Sequence, residues 1–176
     1  MARRPSRTML LDPGHLISFG FGAGLSPFAP GTMGTIVGVA IFLSVVHSSF
    51  YSGPVYILLC GILLLLGVYL TARTSDYLQS HDHKAIVLDE IVGFLIAAAW
   101  IPLFGFLIRF DSIQEQTFFV SLTFILFRFF DIFKPWPIGW IDRRCGGGFG
   151  VMLDDALAGI LTFILAPIVV VLVHRL

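Results

Sequence analysis

The sequence predicts an all-α, polytopic membrane protein that forms a single helical bundle over residues 1–176. Hydrophobic residues make up 57% of the chain and charged residues only 12%. The mean hydropathy is +0.92. Apolar stretches of membrane-spanning length recur along the chain with short connections between them. A chain of 176 residues with this pattern has no room for a separate soluble domain.

About five transmembrane helices are expected, together with a short N-terminal helix and an irregular membrane-associated loop. The N-terminal segment Leu16–Thr32 is apolar but has five Gly or Pro residues between Gly20 and Pro30. Irregular backbone at membrane depth is stable where protein or a wet cavity satisfies its polar groups, so we expect this segment to line a polar cavity. The alternative is an amphipathic anchor on the membrane surface. The five predicted spans are residues 34–50, 54–72, 88–108, 117–133 and 153–173.

The charges indicate which way the bundle is oriented. With the N-terminus in the cytoplasm, nine of the eleven Lys and Arg residues lie on that side, and only Arg109 and Arg175 lie outside. Nine of the eleven acids fall on the same side, leaving Asp111 and Glu115 outside. Since acids do not govern topology, their segregation predicts a functional face at the cytoplasmic leaflet.

Six carboxylates lie at or beside the ends of the predicted spans. A charge at mid-bilayer costs roughly 2.5 to 3.5 kcal/mol, so acids that crowd the membrane boundary indicate a functional site. Those carboxylates are Asp82, Asp89, Glu90, Asp131, Asp154 and Asp155.

The first acidic cluster lies in SHDHKAIVLDEIVG. His81, Asp82 and His83 fall in a loop, and Asp89 and Glu90 fall where the third span begins. Oxygen and imidazole ligands suit a divalent cation. The alternative is that Asp89 and Glu90 only cap a helix and favour its dipole.

The second cluster lies in RFFDIFKPWPIGWIDRR, where Arg128, Asp131 and Lys134 recur at intervals of three. That spacing places all three side chains on one side of a helix that Pro135 ends. A carboxylate in the last turn meets the negative end of the helix dipole, so Asp131 needs a basic partner or a cation. A simple ladder of ion pairs is the alternative interpretation.

The third cluster lies in DRRCGGGFGVMLDDALAG, where Arg143 and the glycines precede Asp154 and Asp155 at the start of the last span. Glycine-rich backbone and arginine both bind phosphate, although a flexible linker also uses glycine. Two carboxylates about 4 Å apart repel by roughly 4 kcal/mol at an effective dielectric near 20. Acidic pairs on two spans therefore predict shared ligation of Mg²⁺, which takes carboxylates, waters and substrate phosphate.

Several phosphatase chemistries do not fit the sequence. A cysteine phosphatase needs Arg six positions after its Cys, but Val151 stands there after Cys145. The chain has no DxDxT motif for an aspartyl-phosphate enzyme and no GxxxxGK[ST] loop. Metal-assisted hydrolysis is the chemistry that the residues leave open.

Four strings are similar to those of the phosphatidylglycerophosphatase A family of bacterial membrane enzymes. They are GFGAGLSPFAPGTMGT at 20–35, HDHKAIVLDEIVG at 81–93, FRFFDIFKPWPIGWIDR at 127–143 and GGGFGVMLDDALAG at 146–159. The departures are small: Leu88 stands where the family pattern has Trp, and Cys145-Gly146 precedes the glycines. The resemblance implies magnesium-dependent hydrolysis of phosphatidylglycerophosphate to phosphatidylglycerol and inorganic phosphate, at the cytoplasmic side of the bacterial inner membrane.

The resemblance and the clusters together give a mechanistic hypothesis. Mg²⁺ is bound by four carboxylates, and Asp82 or Asp131 completes the site while His81 or His83 relays protons. Arg128, Lys134 and Arg143 hold the phosphate, and Ser26 and Thr32 add hydrogen bonds to the headgroup. A phospho-aspartate intermediate is the alternative to direct attack by water. The four metal ligands are Asp89, Glu90, Asp154 and Asp155.

Two other classes of function compete with the enzyme. A small cation transporter or channel would need acids spread through the bilayer, but the middle of every predicted span lacks Asp, Glu, Lys and Arg. A scaffold whose charges only set topology would tolerate the loss of Asp154. The expected partners are the membrane and its phospholipid, with no nucleic acid, and the sequence predicts no oligomeric state.

Overall fold

The computed structural model describes residues 5–49, 52–80, 83–104 and 112–173. Within these ranges the chain is helical and contains no strand. Two 3₁₀ turns, Arg7–Leu11 and Gly20–Leu25, accompany the α-helices. The α-helices are α1 Pro13–Ser18, α2 Pro30–Val46, α3 Gly53–Leu78, α4 Leu88–Ala98, α5 Trp100–Phe104, α6 Ile113–Phe133, α7 Ile138–Asp142 and α8 Gly147–Val173.

Helix α4 is the centre of the bundle, and nine of its eleven residues are buried. Glycines allow its neighbours to approach closely. A Cβ atom at Gly93 would lie 2.8 Å from the Asp155 carbonyl oxygen of α8, and one at Gly34 of α2 would lie 2.7 Å from Val87 Cβ. Small residues at helix interfaces are the usual means of close packing in membrane bundles. Two polar side chains in this core are paired, because Tyr56 donates to the Leu95 carbonyl and Trp100 Nε1 donates to Thr123 Oγ1.

Three described helices are long and apolar enough to cross a membrane: α3, α6 and α8. Helix α2 is apolar but has only 17 residues. The predicted count of about five transmembrane helices is therefore not confirmed.

The predicted third span, 88–108, is not one continuous helix over its described part. It is interrupted at Ala99, between α4 and α5. Pro102 lies one turn later, and proline has no N–H to donate to the carbonyl of Ala98 and its ring crowds that carbonyl. Residues 105–108 of this predicted span lie outside the described ranges.

The N-terminal segment is a short helix followed by irregular backbone, as the glycines and prolines predict. Asp12 caps α1 by accepting hydrogen bonds from the backbone N–H groups of Gly14 and His15. The following 3₁₀ turn contains Phe21 and Gly22 with positive φ. The segment packs against residues 83–87, the approach to α4. There the Val87 N–H donates to the Ser18 carbonyl at 3.0 Å. It therefore fixes the position at which α4 begins.

Candidate active site

The starts of α2, α4 and α8 and the end of α6 enclose a cavity of about 510 Å³ at one end of the bundle. Most of the predicted acidic and basic residues line it. Ala29, just before α2, and Pro30 and Gly31 in its first turn form one wall, so the end of the predicted segment Leu16–Thr32 lines this cavity. The charged residues of the described lining are Lys84, Asp89, Glu90, Arg128, Asp131, Lys134, Asp142, Asp154 and Asp155.

Three carboxylates of this cavity form a cluster. Asp89 and Glu90 occupy the first turn of α4, and Asp155 lies inside α8. One oxygen from each of the three lies within 4.8 Å of the others. The close approach of the two helices at Gly93 brings the Asp155 backbone beside α4 and so assembles the cluster.

The cluster has the charge and the free acceptor atoms of a cation site. Two unit charges 4.8 Å apart repel by about 3.5 kcal/mol at an effective dielectric near 20, and the cluster contains three such pairs. Glu90 Oε2 and Asp155 Oδ2 are buried and have no hydrogen-bond partner among the described residues. A hard divalent cation would satisfy these oxygens and offset the repulsion. All of the donors are carboxylate oxygens, which suit Mg²⁺ better than Zn²⁺.

Asp154, the fourth predicted metal ligand, lines the same cavity but is not part of the three-carboxylate cluster. It accepts a hydrogen bond and ion pair from Lys134 Nζ. Lys134 also donates to Asp142 Oδ1 at 3.0 Å. Burial by itself would lower the pKa of Lys134, but hydrogen bonds and attraction from Asp154 and Asp142 outweigh it and raise the pKa above its ordinary value. Lys134 is therefore a fixed cation in the wall of the cavity.

Arg128 and Asp131 form the (i, i+3) pair that their spacing predicts. The Arg128 guanidinium also lies 3.5 Å from Thr35 Oγ1, which in turn donates to the Gly31 carbonyl. Its Nε is buried without an acceptor among the described residues. Arg128 thus lines the cavity as a cation whose guanidinium is held in place by Asp131.

The remaining predicted residues lie at varied distances from the cluster. His83 and Ser26 line a neighbouring cavity, and the Ser26 hydroxyl donates to the Phe28 carbonyl, so it stabilises its own turn. Thr32 and Arg143 are absent from the described lining of both cavities, and Arg143 is exposed. Their contacts with substrate stay predictions. His81 and Asp82 lie outside the described residues.

Two charged residues of the cavity were missed as site residues from the sequence, Lys84 and Asp142. Lys84 is exposed and next to predicted ligands. In the sequence it contributes only to the count of basic residues that predicts the orientation in the membrane. Asp142 precedes two arginines in the sequence, and its distance from Lys134 is set by the short helix α7 and not by sequence spacing. A lysine among acids at a membrane boundary is the signal that could have identified Lys84.

Comparison with known proteins identifies the family to which the chain belongs. The family model described as Phosphatidylglycerophosphatase A matches residues 16–170. A Phosphatidylglycerophosphatase A of Escherichia coli K12 is 36% identical over 157 residues, covering 89% of this chain and 83% of that protein. The Haemophilus influenzae protein of the same name is 41% identical over 151 residues, covering 86% and 85%.

A third relative carries a different name. A Bacteroides thetaiotaomicron protein, described provisionally as a phosphatidylinositol-3-phosphatase, is 35% identical over 158 residues, covering 87% of this chain and 91% of that protein. No solved structure matches the chain.

Proposed function

Because the chain belongs to the phosphatidylglycerophosphatase A family, we propose that it removes the terminal phosphate of phosphatidylglycerophosphate, releasing phosphatidylglycerol and inorganic phosphate. The observation that carries the proposal is the cluster of Asp89, Glu90 and Asp155 oxygens, which lie within 4.8 Å of one another in a cavity that also contains Arg128 and Lys134. Acidic metal ligands beside fixed cations are the components that phosphomonoester hydrolysis uses.

The names of the relatives support a phospholipid substrate. The lipids in those names, phosphatidylglycerophosphate and phosphatidylinositol 3-phosphate, each carry a phosphomonoester on the headgroup. Each also carries an inner phosphodiester, which joins the headgroup to diacylglycerol. We assign phosphatidylglycerophosphate to this chain because two of the three relatives, including the one with 41% identity, are named for it.

The proposal includes Mg²⁺ held by Asp89, Glu90 and Asp155. The buried oxygens of Glu90 and Asp155 without partners fit that role. When bound, the ion supplies Lewis-acid polarisation of the phosphoryl group and acidifies water. We leave Asp154 out of the ligand set because it is not part of the cluster and its Oδ2 accepts from Lys134. Its Oδ1 is buried without a hydrogen-bond partner among the described residues.

The chain's own cations bind the phosphate. Arg128 lines the cavity, where its positive charge attracts the phosphate, and the ion pair with Asp131 holds the guanidinium in place. Lys134 stays protonated because Asp154 and Asp142 stabilise its charge. In the reaction, water oxygen bonds to phosphorus, the bond from phosphorus to the glycerol oxygen breaks, and that glycerol oxygen takes up a proton.

The position of the site supports action at one membrane face, which we propose is the cytoplasmic one. Nine of the eleven Lys and Arg residues fall on that side of the predicted topology. The acids of α4 and α8 and Asp131 near the end of α6 line one cavity. This one-sided arrangement favours an enzyme over the alternative of a cation transporter or channel, which needs charges along a path through the bilayer.

Phosphate release from phosphatidylglycerophosphate by the purified protein in mixed micelles tests the proposal. We expect release that stops when Mg²⁺ is chelated and returns when it is added back. Asp89→Asn should lower the rate by a factor on the order of 10² to 10³, because a metal ligand contributes several kcal/mol. Glu115→Gln, at the other end of α6, is the matched control and should retain the full rate. Release that persists under chelation would contradict the metal, and no release would contradict the enzyme.

A further inference from the structure

A second cavity of about 470 Å³ adjoins the first. The two share Pro30 and Lys84 in their walls. The second is formed by the irregular N-terminal segment on one side and the approach to α4 on the other. The rest of its described lining is Pro5, Gly24, Leu25, Ser26, Pro27, His83 and Ala85.

The two cavities differ in charge. The first contains the three-carboxylate cluster and the acids that pair with Arg128 and Lys134. The described lining of the second contains no Asp or Glu, and its titratable side chains are Lys84 and His83. An anion in the second cavity would therefore meet donors and no described carboxylate, which suits a phosphate that is bound but not hydrolysed.

The donors of the second cavity are held in position. The backbone N–H of Ala85 donates to His83 Nδ1 at 3.1 Å, so in the neutral ring the proton is on Nε2, which can then donate. The loop that carries both residues is fixed by close packing, because a Cβ atom at Gly24 would lie 2.8 Å from the Ala85 carbonyl carbon. Lys84 is exposed, and its ammonium can reach an anion from the shared wall.

We infer that the second cavity binds the inner phosphodiester of the substrate, with Lys84 and His83 as its donors, while the terminal phosphate lies in the first cavity. This inference rests on the proposed function. A lipid with one phosphate on its headgroup and one at its diacylglycerol end would fill both cavities, whereas phosphatidic acid has a single phosphate and fills one. Lys84 is therefore a specificity-determining residue, and His83 binds substrate and does not relay protons.

The test separates the two phosphate positions. With phosphatidylglycerophosphate as substrate, Lys84→Met should lower kcat/KM roughly 10- to 100-fold, the loss expected for a hydrogen bond to a charged group. Inorganic phosphate, the product released from the terminal position, competes with substrate there and should inhibit Lys84→Met and the unaltered protein with the same Ki. That unchanged Ki would also show that the variant is folded. Lys84→Arg, which keeps the charge, should recover most of the lost kcat/KM.

Arg144→Met is the matched control for the loss of one positive charge. The Arg144 guanidinium lies 4.4 Å from the Trp140 ring centre, and Arg144 is outside the described lining of both cavities. It should leave kcat/KM unchanged. A Ki for inorganic phosphate that rises in Lys84→Met along with the loss of kcat/KM, or an unchanged kcat/KM, would overturn the inference alone. No hydrolysis by the unaltered protein would overturn the proposed function as well.

Discussion

The two acidic pairs of this chain look alike in sequence and differ in structure. Asp89 and Glu90 lie in the first turn of α4, where the helix dipole favours negative charge, and both carboxylates join the cluster. Asp154 and Asp155 are the eighth and ninth residues of α8. Of these two, only Asp155 joins the cluster, while Asp154 meets Lys134. The adjacent acids of α8 therefore have separate contacts, unlike those of α4.

The largest expected effect distinguishes the two members of the second pair. Asp155→Asn should lower phosphate release by a factor on the order of 10³ and raise the Mg²⁺ concentration needed for half-maximal rate, because a cluster oxygen loses its charge. Asp154→Asn should lower release only about 10-fold, since Lys134 loses one charged partner and keeps Asp142. Titration of the rate with Mg²⁺ measures both quantities.

The Mg²⁺ dependence, and not the rate alone, decides this comparison. In Asp154→Asn the half-maximal Mg²⁺ concentration should match that of the unaltered protein. Equal shifts in the two variants would mean that all four acids act as one ligand set, as the symmetry of the sequence predicts.

Sequence predicted the one-sided gathering of charges well, because hydropathy locates span ends and the acids lie near them. The last helix begins at Gly147, six residues before the predicted span 153–173. Glycine disfavours helix, so GGGFG reads as a loop. In the structure Gly148 is helical and packs where a Cβ atom would lie 2.8 Å from Ala72 Cα of α3. Close tertiary packing overrides local propensity here, and local pattern does not reveal it.

The ion pair between Lys134 and Asp154 could not be predicted from the sequence either. The spacing of Lys134 from Asp131 predicts a shared helix face, but α6 ends at Phe133 and Lys134 adopts a positive φ. The side chain therefore leaves the helical register and reaches Asp154, 20 residues further along the chain. A contact of that kind depends on how α7 turns the chain, which no periodicity encodes.

A loss of phosphate release between the largest and the smallest predicted here is expected when α4 and α8, which carry the two acidic pairs, are forced apart. In Gly93→Ala the added methyl group would lie 2.8 Å from the Asp155 carbonyl oxygen and 2.9 Å from the Phe127 ring. Such overpacking should lower the free energy of unfolding by about 1 to 3 kcal/mol. Phosphate release per folded molecule should fall as well, because α8 must move away from Asp89 and Glu90. Unfolding in mixed micelles and the rate assay give the two values.

Gly61→Ala is the matched control for that substitution. Gly61 lies inside α3, and nothing lies within 4 Å of its Cβ position. The change should raise the free energy of unfolding by about 0.5 to 1 kcal/mol, because alanine has a higher helix propensity than glycine. It should leave the rate of phosphate release unchanged. Equal destabilisation of both variants would contradict the close α4–α8 packing.

The smallest effect is expected at an acid that belongs to neither pair. Asp12 caps α1 and forms two hydrogen bonds with Arg73, at 2.7 and 3.2 Å. The hydrogen bond from Arg73 holds the pKa of Asp12 below its ordinary value. A lowered pKa means that the pair stabilises the fold above the ordinary Asp pKa and that this stabilisation is lost as pH falls through the lowered value.

Arg73→Gln should therefore lower the thermal midpoint slightly at about pH 7, and the difference from the unaltered protein should shrink as pH falls through the lowered pKa of Asp12. The pair is exposed, so the effect should be small. Phosphate release should not change, because Asp12 serves the fold alone. A fall in release would instead show that α1, whose Ser18 carbonyl accepts from Val87 just before α4, transmits strain to Asp89 and Glu90. The position of Asp89 and Glu90 would then depend on the N-terminal segment, just as the position of Asp155 depends on how α8 packs.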